Sequence, residues 1–234
     1  MSSTPTPRAW ENVLSRLEEM LLSGEIRPGQ RLPGERQLAT DLGVGRSSVR
    51  EALRVMEAMG LLRAQTGSGP TAGAMVVSSP SGGMSTLLRM QVAAQHFPVS
   101  DVVQTRLVLE SAVVRDLAEQ DPHPVLDASV ELLDVMDSSD LSATEYLILD
   151  AQFHLSLAEA AGNVVMATMM GALRDSIEAY FVAHIPAADW TSTCRHLQEE
   201  HRALLVAVTD QDAALAEQRI VDHIRGYYFR TDTR

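Results

Sequence analysis

Several residue types and patterns are scarce or missing in this sequence of 234 residues, and each absence excludes a class of protein or a kind of site. Cys194 is the only cysteine, so the chain cannot form an internal disulfide and has no pair of thiolates for a zinc finger. Any bound metal must therefore be held by histidine and carboxylate side chains. Because the sequence has no run of about 18 apolar residues and no signal pattern in MSSTPTPRAW, we expect a cytoplasmic protein without a membrane partner.

Lysine is absent as well, since all 19 basic residues are arginine. The formal charge of −12 argues against a nucleic-acid partner, because an acidic protein repels phosphate. This charge is unevenly distributed. Residues 1–77 contain nine Arg and eight acidic residues, a net charge of +1, whereas residues 78–234 contain ten Arg and 23 acidic residues, a net charge of −13. The N-terminal third is therefore the part of the chain that can approach DNA.

The stretch VVSSPSGGMS, at 76–85, is rich in Ser, Pro and Gly, a composition typical of a linker. We therefore predict a small domain at 1–77, a linker at 78–85 and a larger domain at 86–234. With 45% hydrophobic residues, a chain of this length can bury both cores.

The smaller domain has the pattern of three helices. Apolar residues at helical spacing predict the first helix, which ends before Gly24: Trp10, Val13, Leu14, Leu17 and Leu21. Two further helices are predicted at about 35–42 and 46–59, joined by a tight turn at GVG. The segments LLRAQT and AMVV flank the Gly/Pro-rich GSGPTAG and predict a β-hairpin, or wing.

The helix at 46–59 has the features of a DNA-recognition helix. Arg46, Ser47 and Arg50 crowd its exposed first turn, while apolar side chains face inward. Two helices joined by a tight glycine-containing turn, with Arg at the start of the second, place side chains against base edges in a major groove. An ordinary three-helix unit with solvated arginines has the same spacing, so the pattern alone leaves that alternative open.

The rest of the chain has helical patterning throughout, and no strand pattern competes with it. Proline, glycine and polar breakers separate seven predicted helices, at about 84–96, 99–120, 125–137, 142–160, 163–184, 190–208 and 211–229. The predicted fold is therefore mainly α, with an N-terminal winged helix-turn-helix domain and a C-terminal antiparallel bundle of about seven helices. The interior of such a bundle can hold a ligand or metal site built from facing helices.

Asp150 and His154 lie four residues apart on one face of the helix at 142–160. His201 and His223 are flanked by apolar residues in the last two predicted helices. If those helices pack against Asp150 and His154, three imidazoles and one carboxylate converge, a ligand set suited to Zn, Ni, Mn or Fe. Separate core histidines that only satisfy hydrogen bonds are the alternative, because spacing does not show that distant helices meet.

The stretch LPGERQLATDLGVGRSSVREALRVMEAMGLL closely resembles the winged helix-turn-helix signature of the GntR family of bacterial transcription regulators. The resemblance implies DNA contacts from two helices and the wing, made by Arg36, Arg46, Ser47, Ser48, Arg50 and Gly67. Arg can bond guanine with two hydrogen bonds or hold a phosphate, and Ser hydroxyls donate to backbone oxygens. The sequence departs from the family at Gly34 and Gly45, where a capping Ser is usual, and its wing is longer.

In the larger domain, DAQFH at 150–154, GN at 162–163, EH at 200–201, His223 and RLVLE at 106–110 resemble the ligand-binding domain of the FadR subfamily. The resemblance implies that a divalent cation, Zn, Ni or Mn, is held by Asp150, His154, His201 and His223. It also implies that Arg106 pairs with a carboxylate effector in the same cavity. Asn163 either lines that cavity or caps the following helix, and His196 is the reserve metal ligand.

These patterns together predict a homodimeric, effector-responsive transcription regulator. We expect a repressor that binds an inverted-repeat, double-stranded DNA operator and that a small carboxylate effector releases. One alternative is a metalloenzyme with an open coordination position on the Asp/His centre. It leaves the winged helix unexplained, and we find no obvious general base beside the centre. The other alternative is a metal-free regulator in which Arg106 and the histidines bind the effector directly.

Overall fold

The computed structural model describes residues 8–65, 73–77, 82–138, 141–184 and 190–232. The chain divides into two compact units, Met1–Met84 and Ser85–Arg234, which we call the N-terminal unit and the C-terminal unit. Within the described residues, no helix combines the length and the apolar character that a membrane span requires.

The described residues of the N-terminal unit form three helices and a two-stranded sheet: α1 (Ala9–Leu22), α2 (Glu35–Asp41), α3 (Arg46–Ala58), β1 (Leu62–Gln65) and β2 (Gly73–Val76). The strands are antiparallel, and Leu62 pairs with Val76. The segment before α2 also joins β2, since the amide of Leu32 donates to the carbonyl of Ala74 at 2.8 Å. The predicted three helices and hairpin are therefore present in this unit, while the wing tip lies outside the described residues.

The core of the N-terminal unit follows the predicted helical spacing. Val13 and Leu17 of α1 are buried against Val49 and Met56 of α3. Gly43 has a φ of 65°, a left-handed conformation that glycine adopts without steric cost, and it makes the turn between α2 and α3. This turn fixes α3 on the core, so that its opposite face carries the arginines into solvent.

Seven helices follow in the described part of the chain: α4 (Gly83–Ala93), α5 (Val99–Glu119), α6 (Asp127–Ser138), α7 (Ala143–Ala160), α8 (Val164–His184), α9 (Trp190–Thr209) and α10 (Ala213–Asp232). Helix α5 contacts α7, α8, α9 and α10, so it lies at the centre of the bundle. The core includes Leu117 of α5, Phe153 of α7 and Leu204 of α9, each completely buried. This arrangement confirms the prediction of a mainly helical chain.

Among the helix boundaries that differ from the prediction, two have a clear local cause. Helix α4 ends at Ala93 instead of residue 96, because Gln95 adopts a φ of 60° that a helix cannot continue through. Helix α10 begins at Ala213 instead of residue 211, because Gln211 has a φ of 57°. The carboxylate of Asp212 then caps α10 by accepting from the amide of Leu215 at 3.0 Å.

Candidate functional site

Helix α7 carries two of the predicted ligands on its buried face. It begins with a capping box, in which Ser142 and Glu145 each accept a backbone amide of the other residue. From this start, the buried positions recur with helical periodicity at Tyr146, Phe153 and His154. Asp150 lies on the same face, with 13% of its side chain exposed.

The structure brings together all four side chains that the sequence singled out as metal ligands. The Nε2 atom of His154 lies 3.3 Å from Nε2 of His201 and 3.2 Å from Nε2 of His223, and the last two atoms are 3.3 Å apart. Oδ1 of Asp150 lies 3.1 Å from Nε2 of His201 and 3.9 Å from Nε2 of His154. All four ligand atoms are within 4.8 Å of one another. We call this group the histidine cluster.

These separations fit a single cation. Two ligands at about 2.1 Å from a metal are separated by about 3.0 Å at a right angle and by about 3.4 Å at the tetrahedral angle. The three distances between the Nε2 atoms, 3.2 to 3.3 Å, lie between those limits. Imidazole nitrogen and carboxylate oxygen are also the donors expected for Zn, Ni or Mn.

Carboxylates behind the imidazoles fix which ring nitrogen faces the cluster. Nδ1 of His154 lies 2.8 Å from Oε2 of Glu110, and Nδ1 of His223 lies 2.9 Å from Oε2 of Glu200. A carboxylate only accepts hydrogen bonds, so each Nδ1 carries the proton and each Nε2 presents its lone pair to the cluster. Nδ1 of His201 is buried and has no hydrogen-bond partner within the described residues.

The electrostatic environment keeps the cluster in its ligating form. Burial and the charge of Arg174 lower the pKa of His154 to about 3. Burial and the neighbouring His223 lower the pKa of His201, so both imidazoles are neutral at pH 7. Burial raises the pKa of Asp150, but the hydrogen bond to His201 and the charge of Arg174 outweigh burial and hold that pKa well below its usual range.

Glu110 connects the histidine cluster to two buried arginines. Its Oε1 accepts from Nε of Arg106 at 2.8 Å. Its Oε2 accepts from Nδ1 of His154 at 2.8 Å and from Nη2 of Arg174 at 3.0 Å. Nη1 of Arg174 donates a further hydrogen bond to Oδ2 of Asp150 at 2.8 Å. Burial raises the pKa of Glu110, but Arg106 and Arg174 hold it well below its usual range, so Glu110 remains an acceptor.

A cavity of about 40 Å³ adjoins the cluster. Its polar wall consists of Arg106, Asp150, Arg174 and His223, and its apolar wall of Leu147, Ala151, Ile177, Ile224 and Tyr227. A buried water molecule needs about 10 to 15 Å³ on this measure, so the cavity has room for a small group such as a carboxylate. Two guanidinium groups in its wall favour an anion there.

The two predicted effector residues, Arg106 and Asn163, do not lie together. Arg106, on α5, is buried and lines the cavity, as the resemblance implied. Asn163 instead lies exposed at the start of α8, where its Oδ1 accepts from the amide of Met166 at 3.1 Å. Its side chain therefore caps the helix and is not part of the cavity wall.

The helix residues that are predicted to contact DNA lie on the surface of α2 and α3. Arg36, Arg46, Ser47 and Arg50 are exposed, and Ser48 is half-buried. Arg50 donates to the Glu35 carboxylate through Nε at 3.2 Å and through Nη2 at 2.8 Å. This pair holds the guanidinium beside α2 and lowers the pKa of Glu35.

The sixth predicted DNA contact, Gly67, lies outside the described residues. A further arginine, Arg54, is exposed one turn beyond Arg50, and Arg46, Arg50 and Arg54 therefore form a basic stripe along α3. Sequence reasoning missed Arg54, although its spacing of four from Arg50 indicates the same helix face.

Sequence reasoning also missed the polar residues that support the histidine cluster, Glu110, Arg174 and Glu200. Glu110 follows Arg106 by four residues on a helix, and Arg174 is a basic residue between apolar neighbours in MMGALRDSI. A charged residue on an otherwise apolar helix face is the signal that could have found both, because such a residue is buried only with a partner.

Two protein-family descriptions match the chain. Residues 10–71 match the family described as bacterial regulatory proteins, gntR family, and residues 101–226 match the FCD domain. The chain is 30% identical over 223 residues to the HTH-type transcriptional repressor NanR of Cronobacter sakazakii, covering 93% of this chain and 83% of that protein. It is 29% identical over 222 residues to NanR of Escherichia coli, covering 92% of this chain and 81% of that protein.

A solved structure supports the same relationship. The Streptococcus agalactiae GntR structure superimposes with a TM-score of 0.67 and 26% identity, covering 92% of this chain and 97% of that chain. These relatives are regulators of transcription, which decides between the regulator and the metalloenzyme in favour of the regulator.

Proposed function

Because the chain belongs to the gntR family of bacterial regulatory proteins, we propose that it is a cytoplasmic repressor that a small carboxylate releases from its operator. The observation that carries the effector half of this proposal is the histidine cluster beside a cavity lined by two arginines. A buried site with both cation ligands and guanidinium groups is suited to holding an anion through a metal and an arginine together.

The DNA-binding part of the proposal assigns contacts to α2, α3 and the wing. Arg36 of α2 and Arg46 and Arg50 of α3 make the main contacts with DNA, and Ser47 and Ser48 support them. We assign the minor-groove contact of the wing to Gly67. The basic stripe on α3 supports this assignment, because arginines at spacing four present their guanidinium groups along one face of the helix.

The metal part of the proposal assigns a divalent cation, Zn, Ni or Mn, to Asp150, His154, His201 and His223. Imidazole ligands carry no charge when they coordinate a cation, so three of them and one carboxylate would leave a divalent cation with a positive charge that attracts the effector. Glu110 and Glu200 keep the imidazoles of His154 and His223 in the orientation that the cation needs.

The effector part of the proposal assigns a carboxylate to Arg106. This guanidinium uses Nε for Glu110, so its two terminal nitrogens can form a parallel pair of hydrogen bonds with a carboxylate. The cavity of about 40 Å³ accepts the head group of a small acid. Effector and DNA must favour different arrangements of the protein for release to occur.

We also propose that the protein acts as a homodimer. The N-terminal unit has almost no net charge, so one copy attracts phosphate weakly, and two copies on adjacent half-sites double the contacts. A two-fold symmetric dimer requires an inverted-repeat operator.

In vitro selection from random double-stranded DNA tests this function directly. The metal-loaded full-length protein should enrich an inverted repeat, and a panel of small carboxylates should contain one that releases the selected DNA. Enrichment of no shared sequence would contradict the regulator function for this chain. Elemental analysis of the purified protein should find close to one divalent metal per chain, and a metal-free protein that still responds to a carboxylate would favour the metal-free alternative.

A further inference from the structure

Arg174 occupies a position between the histidine cluster and Glu110 that the proposed function does not yet explain. It lies on α8 with only 6% of its surface exposed, and it lines the cavity. Its two terminal nitrogens are both committed, Nη1 to Oδ2 of Asp150 at 2.8 Å and Nη2 to Oε2 of Glu110 at 3.0 Å. The guanidinium therefore links α7 to α5 as a rigid fork.

Because of this fork, the two carboxylate oxygens of Asp150 have different partners. Oδ1 faces the imidazoles, at 3.1 Å from Nε2 of His201. Oδ2 is held by Arg174 instead. A carboxylate can bind a cation through one oxygen or through both, and the hydrogen bond from Arg174 occupies the second oxygen of Asp150.

The number of protein atoms that coordinate the cation determines how many coordination positions are left for an effector. Three Nε2 atoms and Oδ1 provide four ligands, so a cation that accepts six has two positions left. If Asp150 contributed both oxygens, one of those positions would be filled by the protein. Asp150 and His223 also line the cavity, so a ligand in the cavity would lie beside a cation held by them.

We propose that Arg174 is a positioning residue that restricts Asp150 to one ligand oxygen and thereby reserves a coordination position for the effector. That position would be taken by the carboxylate effector that the proposed function already places beside Arg106. This inference rests on the proposed metal site and extends it to a residue outside the ligand set.

Cobalt(II) and acetate provide a test, because the visible absorption of cobalt(II) reports on the number and type of its ligands. In the wild-type full-length protein loaded with cobalt(II), acetate should change the spectrum saturably. Arg174→Gln should still bind one cobalt(II) per chain, but its spectrum before acetate is added should already differ from that of the wild type. Its apparent dissociation constant for acetate should rise at least about tenfold, since the second oxygen of Asp150 would then compete with acetate for the coordination position.

Arg115→Gln is the control, because it removes an exposed arginine of α5 that pairs with Glu217 and lies outside the cavity wall. Its cobalt(II) spectrum without acetate and its acetate response should both equal those of the wild type. An Arg174→Gln protein with the wild-type cobalt(II) spectrum would overturn the positioning role, and Arg174 would then act only as a charge that attracts the anion.

The remaining outcomes separate this inference from the proposed function. A wild-type protein that binds no cobalt(II) would overturn both, whereas loss of cobalt(II) in Arg174→Gln alone would overturn only the positioning role. Should Arg174→Gln fail to fold by circular dichroism, Arg174→Lys retains the charge but replaces the rigid fork by a single nitrogen. The same change of the acetate-free spectrum is expected of that variant, and an unchanged spectrum would again contradict the role.

Discussion

At the scale of single residues, we expect substitutions of the two histidines of α9 to have opposite effects on metal binding. His201 is completely buried in the histidine cluster, whereas His196 is 52% exposed and pairs with Glu200 at 2.9 Å. We expect His201→Ala to weaken binding of the divalent cation by more than about 100-fold, because removal of a ligand exceeds the loss found for supporting residues. Chelator competition and elemental analysis measure this. His196→Ala is the control, and loss of metal from it would make the ligand assignment wrong.

A second prediction for single residues concerns the arginines of α3 and binding to the operator. Arg46→Ala and Arg50→Ala should each weaken binding to the selected operator by about 1 to 3 kcal/mol, because each truncation removes a groove or phosphate contact. Fluorescence anisotropy with labelled DNA measures the loss. Arg202→Ala removes an exposed, ion-paired arginine of the acidic C-terminal unit and should change the affinity little. Wild-type affinity in both α3 variants would contradict the assigned recognition face.

At the scale of secondary-structure elements, the sequence predicted the helices well because their determinants are local. Periodicity and breakers placed α7 at 142–160, and the structure has it at Ala143–Ala160. Asp150 and His154 could be paired from spacing, since one helix fixes both. The approach of His201 and His223 depends on how α9 and α10 pack, which no local pattern specifies. Glu110 and Arg174 stayed unassigned for the same reason, because each acquires its role from a partner on another helix.

We expect the largest loss of stability from substitution of Glu110, at the centre of α5. Glu110→Ala leaves Arg106 and Arg174 buried without their shared acceptor, so we expect the free energy of unfolding to fall by about 3 to 5 kcal/mol. Urea denaturation followed by circular dichroism measures this change. Glu217→Ala, which removes an exposed partner of Arg115, should cost less than about 1 kcal/mol. Equal effects of the two substitutions would show that Glu110 does not hold the buried arginines.

At the scale of the whole molecule, the cation should link ligand binding to stability. A cation present at about 100 times its dissociation constant stabilises the folded state by about 2.7 kcal/mol, so a chelator should lower the thermal midpoint by about 5 to 11 °C. Calorimetry measures the midpoint, and excess divalent metal should restore it. The His201→Ala protein should show no such response to the chelator, which separates removal of the site metal from other effects of the chelator.

The proposed dimer makes a prediction about the operator. Two recognition helices related by a two-fold axis meet half-sites on the same side of the duplex, one helical turn apart. Insertion of about five base pairs between the half-sites rotates one of them to the opposite side and should reduce binding to that of a single half-site. An electrophoretic mobility assay that finds equal affinity for both spacings would contradict a symmetric dimer on DNA.

The shared carboxylate of Glu110 has a consequence for how such a protein can diverge. One side chain serves His154, Arg106 and Arg174 at once, so a change at any of these positions alters the environment of the others. Substitutions within this group should be strongly non-additive, and a lineage can replace one member only together with its partners. The apolar wall formed by Leu147, Ile177 and Ile224 carries no such constraint. New effectors should therefore arise through drift of that wall, around a polar centre that stays the same.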